Sequence, residues 1–139
     1  MSVILGIDYG DKRIGLALSD PAQSLARRFL TLANEGIDNA VGKIGEIIQT
    51  ENIVKVVVGL PVGFSGESDQ TRKVEDFIAL LEDAVNIPVD TMNEALTSKM
   101  ALENLRSAGV KDIKAVLDQE AARIILQDYL DRNRPELES

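Results

Sequence analysis

Three acidic residues, Asp8, Glu94 and Asp118, stand where carboxylates could do chemistry together. Asp8 ends the apolar run Val3-Ile4-Leu5-Gly6-Ile7, in which Val3, Leu5 and Ile7 share one face of a strand and Ile4, Gly6 and Asp8 the other. An unpaired anion inside a core is strongly unfavourable, so Asp8 must look into a cleft or cap the turn at Tyr9-Gly10. Glu94 lies just past another short strand, where open α/β sheets place crevice residues and where an acid also suits the start of a helix. Asp118 shares a helical sector with Lys111, Lys114, Ala121, Ala122 and Ile125, so an acid interrupts a face whose alanines permit close approach. Its partner is either Lys114, at i−4, or a divalent cation shared with Asp8 and Glu94. Spacing leaves both readings open.

Composition narrows the chemistry. The chain of 139 residues has no cysteine and no histidine. Disulfides, thiolate or imidazole metal sites, cysteine nucleophiles and Ser-His catalysis are therefore excluded. Carboxylates, lysines and hydroxyls remain. The length fits a single domain, with residues 135–139 as an acidic tail beyond a domain at 1–134. Neither a signal-like leader nor a membrane-length apolar run is evident, so a cytoplasmic location without membrane association is expected. Net charge is −8, from 23 acidic and 15 basic residues. This argues mildly against nucleic acid, although a local basic rim or a cation-filled acidic cluster removes the objection. The basic residues fall in small groups, among them Lys12-Arg13, Arg27-Arg28, Arg72-Lys73 and Lys111 with Lys114.

The elements that must position these acids follow from periodicity. Val3 to Asp8, Ile14 to Ser19 and Arg27 to Leu32 read as three consecutive strands of an antiparallel meander. Ile37, Ala40, Val41, Ile44, Ile47 and Ile48 mark a helix, and Ile53 to Val58 a strand covered on both faces. A glycine-rich loop from Gly59 to Gly66 precedes a helix marked by Val74, Phe77, Ile78, Leu81 and Val85. Ile87 to Met92 is a fifth strand, in which Pro88 marks either an early position in the strand or an edge of the sheet. Two helices close the chain, one from Thr97-Ser98 to the Gly109 stop and one from Ile113 to Arg132. The order β-β-β-α-β-α-β-α-α builds a five-stranded mixed sheet flanked by helices.

With the elements in place, the motifs resemble the YqgF family, also called RuvX, of RNase H-like proteins related to the RuvC Holliday-junction resolvases. The likeness rests on Gly6-Ile7-Asp8-Tyr9-Gly10 with Arg13-Ile14-Gly15-Leu16-Ala17, on Val58-Gly59-Leu60-Pro61, and on Asp118-Gln119-Glu120-Ala121-Ala122 with Ile125 to Leu130. One motif departs: family members usually carry Asp-Glu-Arg-Leu-Thr, and this chain has Asn93-Glu94-Ala95-Leu96-Thr97. The glutamate survives, but an amide replaces the neighbouring acid, and alanine removes an arginine able to contact phosphate.

The resemblance implies an RNase H-like fold and a metal-dependent nuclease. Asp8 would bridge two Mg²⁺ or Mn²⁺ ions, with Glu94 and Asp118 completing their shells. Gly10, Lys12, Lys111 and Lys114 are the candidate phosphate contacts. The implied substrate is precursor 16S ribosomal RNA at its 5′ end, free or in ribosomal precursor particles, with branched DNA as the alternative. With two tyrosines, three phenylalanines and no tryptophan, recognition by shape and backbone is expected over extensive stacking. Monomer and homodimer both remain open. Two other classes compete: a non-catalytic RNA- or ribosome-binding module, motivated by Asn93, Ala95 and the charge, and a small-molecule phosphotransferase, because Ile7 to Gly10 also resembles a phosphate motif of the actin and sugar-kinase superfamily.

Overall fold

The computed structural model describes residues 2–61, 69–94 and 97–133. Strands β1 (Val3–Tyr9), β2 (Arg13–Ser19) and β3 (Ala26–Ala33) form the expected meander, followed by helix α1 (Ile37–Thr50) and strand β4 (Ile53–Leu60). Helix α2 (Asp69–Ala84), strand β5 (Val89–Asn93) and helices α3 (Thr97–Ser107) and α4 (Ile113–Arg132) complete the chain. The sheet order is β3-β2-β1-β4-β5, with β1·β2 and β2·β3 antiparallel and β1·β4 and β4·β5 parallel. Both positions that Pro88 allowed are found: β5 is an edge strand, and it starts one residue after Pro88, whose carbonyl accepts a hydrogen bond from the Val56 amide at 3.0 Å.

Alternation along the strands divides the interior into two cores. Leu5 and Ile7 of β1, with Val56 and Val58 of β4, pack with Ile44 of α1 and Phe77 and Leu81 of α2. On the opposite face, Ile4, Ala17 and Val57 meet Ala122, Ile125, Leu126 and Tyr129 of α4. Both faces of β4 are thus covered, which is why its sequence is continuously apolar and β-branched. Helix α3 packs on α4 through buried Ala101 and Leu105 and stops at Gly109, whose φ of 73° suits a residue without a β carbon. The far end of α4 is tied to the sheet by Tyr129, which donates to Asp90 at 2.7 Å and accepts from Lys55 at 2.9 Å.

Helix α2 begins about one and a half turns earlier than its apolar residues alone marked, at Asp69 rather than Val74. Residues 62–68, which include most of the glycine-rich loop, and the tail at 135–139 lie outside the described residues. No helix among the described residues is long and apolar enough to cross a membrane.

Candidate active site

Asp8 leaves β1 on the face covered by α4, opposite Gly15 of β2 in the antiparallel register. Two glycines make the room it looks into. A β carbon at Gly15 would overlap the backbone carbonyl of Asp118, and one at Gly59 would overlap the Glu94 carboxylate and the Ile125 side chain. Bare backbone at these points lets α4 lie close on the sheet and lets Glu94 fold back over β4. Glu94, just after β5, and Asp118, in α4, are brought to the same cleft as Asp8 by that close packing.

The turn after Asp8 is closed without its help. The Gly10 amide donates to the Arg13 carbonyl at 3.0 Å, and Asn34 Nδ2 donates to the Gly10 carbonyl at 2.7 Å. Tyr9 is buried and stacked on Phe77 with ring centroids 4.3 Å apart, while its carbonyl accepts a hydrogen bond from Gln70 Nε2 at 3.2 Å. The carboxylate of Asp8 is therefore held by its strand and remains available to the cleft.

Asp8 and Glu94 lie against each other and share a side-chain hydrogen bond. Two half-buried carboxyl groups at such range cannot both ionise readily. Burial, reinforced by the Asp8 charge, pushes Glu94 up to about 8. Burial, reinforced by the Asp118 charge, pushes Asp8 up to about 6. At neutral pH the pair holds a proton, shared between the two carboxyl groups. A divalent cation can take that proton's place, since it neutralises both oxygens at once, and the all-oxygen donor set suits Mg²⁺ or Mn²⁺.

Asp118 is differently engaged. Its Oδ2 accepts a hydrogen bond from Arg13 Nε at 2.8 Å, and this pair replaces the Lys114 contact that i−4 spacing allowed. The two residues are 105 apart in sequence, so no local pattern could reveal the contact. Arg13 is 55% exposed, and an ion pair so open to water is worth at most about 1 kcal/mol, little enough for a cation or a phosphate to displace. Among the described residues the three acids do not close into one preassembled group of metal ligands. Asp8 and Glu94 form the pair, and Asp118 stands across the same cleft on Arg13.

That cleft has a volume of about 430 Å³, and its walls include Asp8, Gly10, Glu94 and Asp118 with Asp11, Gln70, Ser98 and Lys99. Gln70, Ser98 and Lys99 were not singled out by sequence. The first belongs to the opening turn of α2 and the other two to that of α3, so both helices present their N-terminal ends here. Such ends favour anions. Lys12 in the β1–β2 turn, Lys111 before α4 and Lys114 in its first turn are exposed, and none of them lines the cleft. Asn93 closes β5 opposite Leu60 and faces a neighbouring cavity, while Ala95 and Leu96 lie outside the described residues.

Known proteins resemble the chain in sequence and in fold. The family model for "RuvX: Holliday junction resolvase" matches residues 2–132. A Chloroflexus aurantiacus protein named "Putative pre-16S rRNA nuclease" is 41% identical over 135 residues, covering 95% of this chain and 88% of its own length. A Syntrophus aciditrophicus protein of the same name is 43% identical over 131 residues, covering 92% and 87%. Among solved structures, T. thermophilus RuvC in complex with a Holliday junction substrate aligns with a TM-score of 0.61 at 14% identity, covering 95% of this chain and 96% of that one. The Fowlpox virus resolvase bound to junction DNA aligns with a TM-score of 0.60 at 13% identity, covering 94% and 97%. These two share the RuvC-like RNase H fold with the present sheet and helices. By the extent of the family match and the identity to its relatives, the chain belongs to the RuvX family.

Proposed function

We propose that the protein is a divalent-metal-dependent nuclease that hydrolyses phosphodiester bonds during maturation of the 5′ end of 16S ribosomal RNA. The observation carrying this reading is the Asp8–Glu94 pair, two carboxyl groups in a cleft that hold a proton at neutral pH for want of a counter-charge. In this reading Asp8, Glu94 and Asp118 are the catalytic acids and hold Mg²⁺ or Mn²⁺. The bound ions supply a water of lowered pKa for attack and a counter-charge at the leaving oxygen. The Asp8–Glu94 pair releases its shared proton as the site is loaded. Arg13 turns from Asp118 to the entering phosphate, freeing the third acid.

Phosphate positioning falls to Ser98, Lys99 and the N-terminal end of α3, with Gly10 at the lip of the cleft. Lys12, Lys111 and Lys114 are placed outside the cleft, where they serve the flanking backbone. The names of the relatives support precursor rRNA as substrate. A second reading, cleavage of four-way DNA junctions, is favoured by the junction-bound resolvases that share the fold. It requires a two-fold dimer to cut symmetrically.

Incubation of the purified protein with a 16S precursor bearing its 5′ leader, with unstructured RNA and with a four-way junction, each in Mn²⁺ or EDTA, separates the readings. Metal-dependent trimming of the leader is expected. Symmetric nicking of the junction with intact RNA would move the function to DNA, and binding without any cleavage would leave a non-catalytic RNA module.

A further inference from the structure

A second cavity, of about 370 Å³, adjoins the catalytic cleft, and Thr97 lines both. It runs between α3 and α4. Thr97, Met100 and Asn104, at helical spacing, form one wall, and Arg123 with Gln127 forms part of the other, while Asn93 closes the end nearest Glu94. The cleft's three acids are not part of it.

Its chemistry is unlike that of a phosphate site. Asp131, and Asp128 in its ion pair with Arg132 at 3.2 Å, line it and disfavour a nucleic-acid backbone. The one guanidinium among the described residues of its wall is already neutralised: Arg123 donates to Glu120 through Nε at 2.8 Å and through Nη2 at 2.6 Å, a fork–fork pair with a carboxylate that is only 6% exposed. That pairing fixes the guanidinium as a rigid plane whose charge is satisfied. Asn104 donates Nδ2 to the same carboxylate at 3.1 Å, which orients its amide and leaves the carbonyl oxygen as an acceptor. Met100 is 47% exposed, unusual for a large apolar side chain, and it lies on the same wall. A flat, neutral ligand with hydrogen-bonding edges meets all of these: a thioether and a guanidinium plane for its faces, and the Asn93 and Asn104 amides for its rim.

We propose that this cavity receives one unstacked nucleobase of the substrate strand, next to the nucleotide whose phosphate enters the catalytic cleft. The proposal rests on the nuclease reading for its substrate class, and it assigns to the α3–α4 cavity a reading of bases that the cleft itself lacks. Buried Glu120 acts as the positioning residue that holds Arg123 and Asn104 in place. The low aromatic content of the chain is then no obstacle, because the stacking surface is a guanidinium and a thioether.

The test is a binding measurement with no cleavage in it. Five-nucleotide single strands are titrated into the full-length protein in EDTA at low salt and followed by backbone amide NMR, using an all-base strand and strands carrying one abasic unit at each position in turn. One abasic position is expected to weaken binding by about five- to a hundredfold, with loss of shifts at Met100 and Asn104, the range typical of a single stacked base. In Met100→Glu, which replaces an exposed side chain, that same substitution is expected to cost nothing. Equal effects at every abasic position, a position-dependent loss that survives in Met100→Glu, or no shifts along α3 and α4 at millimolar strand would each overturn the proposal. Because hydrolysis plays no part, a failure here leaves the nuclease reading standing, and an inactive protein that still shows the single-position effect refutes only that reading.

Discussion

Asp8 and Glu94 hold a proton between them because burial and mutual repulsion make two adjacent charges more costly than one. The consequence for stability has a definite sign. Ordinary values of 3.8 and 4.5 describe the unfolded groups, and the folded ones lie at about 6 and about 8. The folded state therefore binds more protons between about pH 4 and 8, and stability in EDTA falls as pH rises through that window. Glu94→Gln removes the larger contribution, so its Tm in EDTA at pH 8 should exceed that of wild type by about 2–5 °C, with no gain at pH 4. A wild-type Tm that rises from pH 5 to pH 8 in EDTA would contradict the shared proton. Arg13 gives a second prediction. Its ion pair with Asp118 competes with metal loading, so Arg13→Ala should bind Mn²⁺ about three- to tenfold more tightly by calorimetry, while its apparent KM for nucleic acid rises. Unchanged affinity for Mn²⁺ would mean that Asp118 takes no part in holding it. Asp8 and Asp118 stood out in sequence as carboxylates on apolar ground, and Glu94 as an acid just past a strand end. Arg13 appeared there only within a motif, because a contact across 105 residues leaves no periodic trace.

At the scale of elements, the site depends on how closely α4 approaches the sheet. The alanines at 121 and 122 supply one side of that approach and are fully legible as small residues on an apolar helical face. Gly15 supplies the other, and its role emerges only from the register that sets it opposite Asp8 and beneath Asp118. Gly15→Ala forces backbone to move and should cost about 1–3 kcal/mol in denaturant unfolding, with loss of cleavage larger than the stability loss explains. Stability and turnover equal to wild type would show that α4 need not lie where it does. The strands and helices themselves were readable nearly to the residue, since each apolar run is bounded by Gly, Pro or a polar turn. The opening of α2 was not, because Asp69 and Gln70 are polar, and Gln70 serves by lining the cleft and holding the Tyr9 carbonyl. Lys99 and Ser98 were missed for a similar reason: only the direction of α3 reveals that its first turn points at the acids.

For the whole molecule, a net charge of −8 and an acidic cleft oppose a polyanion, a conflict that the proposed divalent cations would resolve locally. Nucleic-acid affinity should accordingly be weak in EDTA and rise at least tenfold with Mn²⁺ or with non-catalytic Ca²⁺. Its dependence on monovalent salt should be shallow, corresponding to about two to four phosphate contacts, as few cations line the site. A steep salt dependence in EDTA would point instead to an extended basic surface. The central claim is that Asp8 and its companions cleave a phosphodiester with bound metal. The most direct measurement compares wild type with Asp8→Asn on the same 16S precursor in Mn²⁺, with folding of both verified by thermal melts. Wild type is expected to shorten the 5′ leader and Asp8→Asn to be slower by about a thousandfold or more, both being inert in EDTA. Equal cleavage by the two proteins, or cleavage by wild type that persists in EDTA, would contradict the account.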